Sequence, residues 1–218
     1  MTRARRSDTL LEMTPPSLQE QLGQIDIFLF DQILKGHIAP GMRILDAGCG
    51  YGRNLVYFLR EGYEVFAADE DAQAMESVRA MARKLAPALP ESNFRVEPVE
   101  QMTFDDACAD VVISNTVLHL ATGEAQFEAM LHGSWRVLRP GGLFFCRLAS
   151  LIGMEGRFRH IEGRRYHLLD GTDRYLVDAA FLESLAEQLG GEMIETLKTT
   201  VVHNQRSMTT WVLRKKPA

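Results

Sequence analysis

The stretch that decides the fold is ILDAGCGYGRN, residues 44–54. A short apolar run ends near an acidic residue, Asp46, and continues into three alternating glycines, Gly48, Gly50 and Gly52. This pattern is typical of a buried parallel strand followed by a tight turn, because glycine lets the backbone bend sharply and approach a ligand closely. Since open α/β sheets bind ligands at the carboxyl ends of their strands, the stretch also predicts a ligand site.

Strand and helix patterns alternate on both sides of this stretch. Strands are predicted at residues 42–48, 64–69, 94–99, 109–115, 141–149, 192–202 and 207–215. Helices are predicted at residues 17–36, 53–61, 71–86, 124–138 and 178–189. Only a few residues join the last two strands, a link too short for a crossover helix, so these strands must pair antiparallel. The expected fold is α/β, with a seven-stranded, mostly parallel sheet, an antiparallel last strand and helices on both faces.

One domain accounts for most of the chain. Residues 1–16 are polar and end in two prolines, which predicts a flexible tail, and residues 17–218 form the domain. At its start, Ser17 and Glu20 have the spacing of a capping box and precede apolar residues at helical intervals. We interpret residues 17–36 as an amphipathic helix that either acts as a lid or covers the sheet edge.

Composition narrows the class of partner. A net charge of -5 argues against the basic face that nucleic-acid binding requires. No apolar run approaches the roughly 20 residues that span a bilayer, and no secretory leader is recognisable, so a cytoplasmic protein without a membrane partner is expected. The three cysteines, Cys49, Cys108 and Cys146, lack metal-ligand spacing and are interpreted as free thiols without a metal. The sequence makes no prediction of the oligomeric state.

The glycine spacing separates two kinds of nucleoside ligand. Asp69 ends the second predicted strand, where a carboxylate can accept two hydrogen bonds from a ribose diol. A dinucleotide fingerprint, G-x-G-x-x-G, counted from Gly48 would require a glycine where Arg53 stands. The fingerprint therefore fails, although the nucleoside part of the prediction remains.

The observed D-x-G-x-G-x-G instead resembles motif I of the class I S-adenosylmethionine-dependent methyltransferases. Other features similar to this family follow in order, namely VFAADED (65–71), VEPVEQMTF (96–104), ADVVISNTVLHL (109–120) and LRPGGLFF (138–145). The resemblance covers residues 40–215 and implies the Rossmann-like fold, with S-adenosyl-L-methionine as cofactor and S-adenosyl-L-homocysteine as product. The continuation GYGRN (50–54) looks closest to a tellurite-resistance-like branch that acts on small molecules.

The resemblance also assigns roles to residues. Asp46, Gly48 and Gly50 are expected at the methionine part of the cofactor. Other cofactor-binding residues expected in the same stretch are Ala47, Cys49 and Asn54. The ribose is expected at Asp69 and Glu70, the adenine at Val99 and Glu100, and the cofactor amino group at the Asn115 carbonyl. Pro98 stands where many relatives have an aspartate, which leaves the Val99 N–H as the adenine donor. A purely structural interpretation remains for Cys49, as a small residue in a tight loop, and for Asn54, as part of a helix's first turn.

The substrate side rests on two features. His119 follows the fourth strand and is a candidate substrate contact or general base, or else a capping or core histidine. Residues 150–176 stand where the family inserts substrate-recognition elements. The candidates there are Arg157, Arg159, Arg164, Arg165 and Tyr166. Arginines suit an anionic or aromatic small molecule, although a solvated loop would have the same composition.

The predicted function is therefore methyl transfer from S-adenosylmethionine to a small-molecule acceptor. Three alternatives stay open at this point. A nicotinamide-dependent oxidoreductase would have to tolerate Arg53 in place of glycine, and a non-catalytic protein would bind the cofactor without turnover. A protein or RNA methyltransferase would use the same core, but the acidic net charge speaks against it.

Overall fold

The computed structural model describes residues 17–217, so the tail predicted for residues 1–16 lies outside the described residues. The helices are α1 (Leu18–Leu22), α2 (Ile27–Leu34), α3 (Val56–Arg60), α4 (Ala72–Leu85), α5 (Glu124–Val137) and α6 (Ala179–Gln188). The strands up to the insertion are β1 (Arg43–Ala47), β2 (Glu64–Asp69), β3 (Phe94–Val96), β4 (Ala109–Asn115) and β5 (Leu138–Ala149). The remaining strands are β6 (Arg159–Glu162), β7 (Arg165–His167), β8 (Asp173–Tyr175), β9 (Gly191–Met193), β10 (Lys198–Val202) and β11 (Arg206–Lys215).

The central sheet has the order β10-β11-β5-β4-β1-β2-β3. Strand β1 pairs in parallel with β2 and β4, and β4 pairs in parallel with β5. The last strand, β11, is antiparallel to both β5 and β10. The predicted mostly parallel sheet with an antiparallel last strand is therefore confirmed, and the carboxyl ends of β1, β2 and β4 meet at one edge.

The strand predicted over residues 192–202 is divided in two. Strand β9 pairs with one end of β11 and β10 with the other. Between them, the Glu195 carboxylate lies 2.5 Å from the Lys35 ammonium and 2.7 Å from that of Lys198. The chain thus leaves the sheet between β9 and β10, where Glu195 turns toward α2. This contact joins segments that are distant in sequence, so the strand pattern could not indicate it.

The amphipathic helix predicted over residues 17–36 is also divided in two. The capping box is present, since the Ser17 hydroxyl accepts from the Glu20 N–H and the Glu20 carboxylate accepts from the Ser17 N–H. Gly23 then adopts a left-handed φ of 64° and ends α1. The Asp26 carboxylate accepts from the Phe28 N–H and begins α2. A glycine stop followed by a new cap explains why the single helix was a wrong prediction.

Apolar side chains cover both faces of the sheet. Neighbouring residues of β5 face opposite sides, so Phe144 packs with Trp135 and Trp211 on one side and Phe145 packs in the cluster of Phe58 on the other. This arrangement explains why the strands read as continuous apolar runs rather than alternating ones. In residues 17–217, no helix combines the length and the apolar character that crossing a bilayer requires.

The insertion after β5 forms a small antiparallel sheet of order β6-β7-β8, which was not predicted. Its strands are three or four residues long and rich in charge, so they lack the apolar alternation that marks a strand. A separate apolar cluster that includes Leu168, Leu176 and Met208 packs it against Ala149 at the carboxyl end of β5. The insertion therefore extends the edge of the sheet that carries the strand ends.

Candidate functional site

The glycine loop after β1 packs tightly against the segment that follows β4. Gly48 has a φ of 78° and its N–H donates to the Ala68 carbonyl at 2.8 Å. A Cβ at this position would lie 2.5 Å from Cγ2 of Val117, closer than real side chains approach. Gly48 is therefore required both by the backbone angle and by the close approach of Val117.

The Asp69 carboxylate joins this loop to the end of β2. One of its oxygens accepts from the Gly50 N–H at 2.7 Å, and the other accepts from the Asp71 N–H at 2.9 Å. A carboxylate has about four lone-pair sites, so each oxygen keeps capacity for another donor. The side chain is fixed in place and can still accept from both hydroxyls of a ribose.

A first cavity of about 420 Å³ opens beside this loop. Six predicted cofactor residues line it, namely Gly48, Gly50, Asp69, Glu70, Val99 and Glu100. Six others that the sequence analysis did not identify are Thr116, Val117, Leu120, Thr122, Gln126 and Met130. The Gln126 side chain donates to Glu100 at 3.0 Å and accepts from Thr122, which connects α5 to the expected adenine side.

The other predicted cofactor residues lie behind the loop rather than on the cavity surface. Ala47 is fully buried in the core, and Cys49 packs against Met75. The Asn54 side chain accepts from the Asp26 N–H at 3.0 Å, and the Asn115 side chain accepts from Arg53 at 3.0 Å. The cysteines are free thiols. These contacts support the structural interpretation of Cys49 and Asn54.

Asp46 is a buried carboxylate directly before the glycines. It is 1% exposed, and within the described residues neither of its oxygens has a hydrogen-bond partner. Burial raises the pKa of Asp46 to about 7, and the nearby charge of Arg53 offsets this only in part. Because an unpaired buried carboxylate is costly, a cationic group bound at the loop is favoured there. This property fits the amino group and sulfonium of S-adenosylmethionine.

A second cavity of about 400 Å³ adjoins the first, and Thr116 lines both. It lies between the ends of β4 and β5, the insertion and the β10–β11 hairpin. Thr116 has a φ of 66°, a rare angle for a β-branched residue, and its N–H donates to the Arg147 carbonyl at 2.7 Å. Strained backbone of this kind is concentrated at functional sites.

His119 lines the second cavity in a defined tautomer. Its Nδ1 accepts from the Ala149 N–H at 3.0 Å, so the proton of the neutral ring is on Nε2. Burial, followed by the charges of Arg174, Arg206 and Arg147, lowers the pKa of His119 to about 4. The acceptor nitrogen of the His119 ring is therefore occupied, and the N–H at Nε2 can donate a hydrogen bond. This geometry corrects the general-base hypothesis and retains the hypothesis of a substrate contact.

The lowered pKa predicts an acid-sensitive fold. Below its ordinary value of 6.5, His119 takes up a proton in the unfolded chain but stays neutral in the folded one, so stability is lost as pH falls toward the folded value. From pH 7.5 to 5, we expect this residue to lower the free energy of unfolding by about 2 kcal/mol. His119→Asn keeps an acceptor for the Ala149 N–H and should lose that much less in urea titrations. Equal pH dependence in both proteins would contradict the assignment.

The five predicted substrate residues lie elsewhere. Arg157 and Arg159 are exposed, and Tyr166 meets the ring of His160 edge-on at 5.1 Å. Arg164 pairs with Asp178 at 2.8 Å, and Arg165 lies 3.6 Å from Glu162. None of the five lines either of the two cavities. A substrate role for them stays a prediction.

Known proteins resemble the chain across this site. Residues 45–146 match a family model described as a methyltransferase domain. A probable S-adenosylmethionine-dependent methyltransferase of Mycolicibacterium smegmatis is 30% identical over 161 residues, which cover 74% of this chain and 56% of that protein. Ribosomal RNA large subunit methyltransferase G of Streptomyces coelicolor is 32% identical over 151 residues, covering 66% of this chain and 39% of that protein. The chain spans about half the length of the curated relatives it matches.

A solved structure shows the same fold. The 1,6-didemethyltoxoflavin-N1-methyltransferase of Burkholderia thailandensis, crystallised with 1,6-didemethyltoxoflavin and S-adenosylhomocysteine, superposes with a TM-score of 0.66 at 21% identity. The match covers 85% of this chain and 76% of that chain. The Rossmann-like arrangement expected from the ordered motifs is therefore confirmed.

Proposed function

We propose that this chain is a class I S-adenosylmethionine-dependent methyltransferase that binds the cofactor in the first cavity and methylates a small molecule in the second. The main observation behind the proposal is that the two cavities adjoin at Thr116, beside the glycine loop. Such an arrangement suits a transfer reaction, because donor and acceptor are held next to one another. The proposed location is the cytoplasm.

The residues present fit the cofactor in parts. Asp69 would accept from the ribose hydroxyls, the Val99 N–H would face the adenine, and the loop at Gly48 would hold the methionine portion near the buried Asp46. When bound, S-adenosylmethionine supplies an electrophilic methyl group on a positively charged sulfur. The chain contributes position and exclusion of water, which account for much of the rate of a displacement reaction.

The proposed acceptor either loses its proton to water or is already deprotonated. His119 is set to donate a hydrogen bond, and its Nε2 has no partner elsewhere in residues 17–217. It therefore orients the acceptor rather than deprotonating it. A small acceptor suits a cavity of about 400 Å³, and the net charge of -5 favours it over RNA, although an RNA methyltransferase is among the relatives.

Thermal unfolding tests the cofactor assignment. At a hundredfold excess over its Kd, S-adenosylhomocysteine stabilises by about 2.7 kcal/mol, which corresponds to about 5 to 10 °C in Tm for a domain of this size. We expect no comparable shift with NAD, because Arg53 stands where the dinucleotide fingerprint requires glycine. A shift with NAD alone would favour the oxidoreductase alternative.

Turnover separates an enzyme from a protein that only binds the cofactor. We would offer S-adenosylmethionine labelled in its methyl group with thiols, phenols, amines, carboxylates, selenite and tellurite. The last two acceptors test the tellurite-resistance-like branch, which stays a prediction. Labelled product with any member of the panel supports methyl transfer, whereas binding without product across a broad panel would support the non-catalytic alternative.

A further inference from the structure

Positive charge is concentrated in the second cavity. Four arginines line it, Arg53, Arg147, Arg174 and Arg206. They come from four separate segments, namely the loop after β1, β5, β8 and the start of β11. The chain as a whole is acidic, with a net charge of -5. A positively charged cavity in a protein of negative net charge attracts anionic ligands.

Nearby carboxylates do not balance these arginines. Asp26 is shared, since one of its oxygens lies 3.1 Å from Arg147 and 3.7 Å from Arg53. Asp170 lies 3.9 Å from Arg206, which is too far for a hydrogen bond. The buried Asp46 also lies near Arg53, so four guanidinium groups face three carboxylates.

Arg174 is the least compensated of the four. Its guanidinium donates to the backbone carbonyl of Asp173 at 2.7 Å and forms no ion pair with a carboxylate in the described part of the chain. Its charge and those of Arg147 and Arg206 all reach His119 and lower the pKa of that ring. Asp170 interacts with the charges of both Arg206 and Arg174, and the excess positive charge lies near the neutral His119, which offers a donor.

The rest of the lining suits a small organic molecule. Leu168 and Met208 add apolar surface, and the hydroxyl-bearing Thr116 and Thr172 also line the cavity. Arginine pairs with carboxylates and phosphates through two parallel N–H donors, which gives orientation as well as affinity. A ligand with an anionic group and an apolar body would match both parts of this surface.

We propose that the second cavity binds the oxyanion group of the methyl acceptor, a carboxylate or a phosphate, against Arg147, Arg174 and Arg206. The inference rests on the proposed methyl transfer and narrows its acceptor to an anionic class. Because Thr116 lines both cavities, an acceptor held in this way lies next to the cofactor.

Calorimetric titration of the whole chain, saturated with S-adenosylhomocysteine, tests the site with inorganic phosphate and with acetate as probes. Arg174→Gln and Arg206→Gln each remove one guanidinium from the cavity. Arg60→Gln is the matched control, since Arg60 is exposed at the end of α3 and lines neither cavity. We expect the Kd of the tighter-binding anion to rise about tenfold or more in each cavity variant and to change less than twofold in the control.

The two probes distinguish a phosphate site from a carboxylate site, since the anion that binds more tightly identifies the group that the cavity prefers. Failure of both anions to bind the parent protein, or binding that survives both cavity substitutions, overturns the anion site. Unfolding temperatures establish that each variant is folded. The affinity for S-adenosylhomocysteine, measured on the same samples, tests the cofactor cavity separately. If the parent protein does not bind S-adenosylhomocysteine, the proposed methyl transfer is rejected, whereas the anion titration can still be interpreted.

Discussion

Replacing Asp69 by alanine is expected to weaken binding of S-adenosylhomocysteine at least tenfold. The carboxylate lines the first cavity and keeps acceptor capacity on both oxygens, so its removal deletes charge-assisted hydrogen bonds worth about 1.5 to 3 kcal/mol. Calorimetry gives the affinity directly. Asp69→Asn keeps the shape of the side chain but retains only one acceptor oxygen. We therefore expect a loss of affinity smaller than that of Asp69→Ala.

A neighbouring carboxylate supplies the control for this experiment. Asp71 accepts from the N–H groups of Gln73 and Ala74 and caps α4. Asp71→Ala should therefore cost about 1 kcal/mol of stability while leaving cofactor affinity nearly unchanged. If both alanine variants lose affinity equally, the effect belongs to the loop as a whole and the ribose assignment of Asp69 is wrong.

Six of the predicted cofactor residues line the first cavity, and the sequence could indicate them because their determinants are local. The end of β1, the glycines and the end of β2 each carry their own signal, and parallel strands bring their carboxyl ends to one edge. What the pattern did not show was which residues face the cavity. Asn54 and Asn115 are turned to Asp26 and Arg53, partners that only the folded chain brings near.

The acceptor residues were predicted from their nearness in sequence. They line neither of the two cavities, and their substrate role stays a prediction. Arg157, Arg159, Arg164 and Arg165 lie within nine residues of one another in sequence, and ion pairs with carboxylates hold the last two. The arginines that line the second cavity stand alone in their segments. These arginines come together only when the sheet and the insertion are assembled, and no local sequence pattern indicates this.

His119 illustrates a different limit of sequence reasoning. Its position after β4 was sufficient to predict that it lies near the carboxyl ends of the strands, where it lines the second cavity. Its chemistry depends on the Ala149 N–H, which reaches Nδ1 from 30 residues away, and on the charges of arginines in β5, β8 and β11. A histidine at a strand end is compatible with a base or a donor, and the hydrogen bond decides for the donor.

The loop makes a second prediction with a large effect. Gly48→Ala should lower the free energy of unfolding by about 2 to 5 kcal/mol, since a left-handed backbone angle costs an alanine about 1 to 2 kcal/mol and overpacking adds about 1 to 3 kcal/mol. Gly50→Ala is the matched control. Gly50 also has a positive φ, of 52°, but no atom lies within 4 Å of the position of its Cβ. Only the cost of the backbone angle, about 1 to 2 kcal/mol, is therefore expected there.

A double-mutant cycle isolates the contact with Val117. The Cβ introduced at position 48 would lie 2.5 Å from one methyl of Val117 and 2.8 Å from the other, so Val117→Ala removes both clashing atoms. Combined with Gly48→Ala, it should recover about 1 kcal/mol or more relative to the sum of the single effects, as directly coupled residues do. Urea unfolding of the four proteins gives this coupling energy. Strictly additive effects would mean that the loop relaxes away from Val117, and glycine at position 48 would then be required by its backbone angle alone.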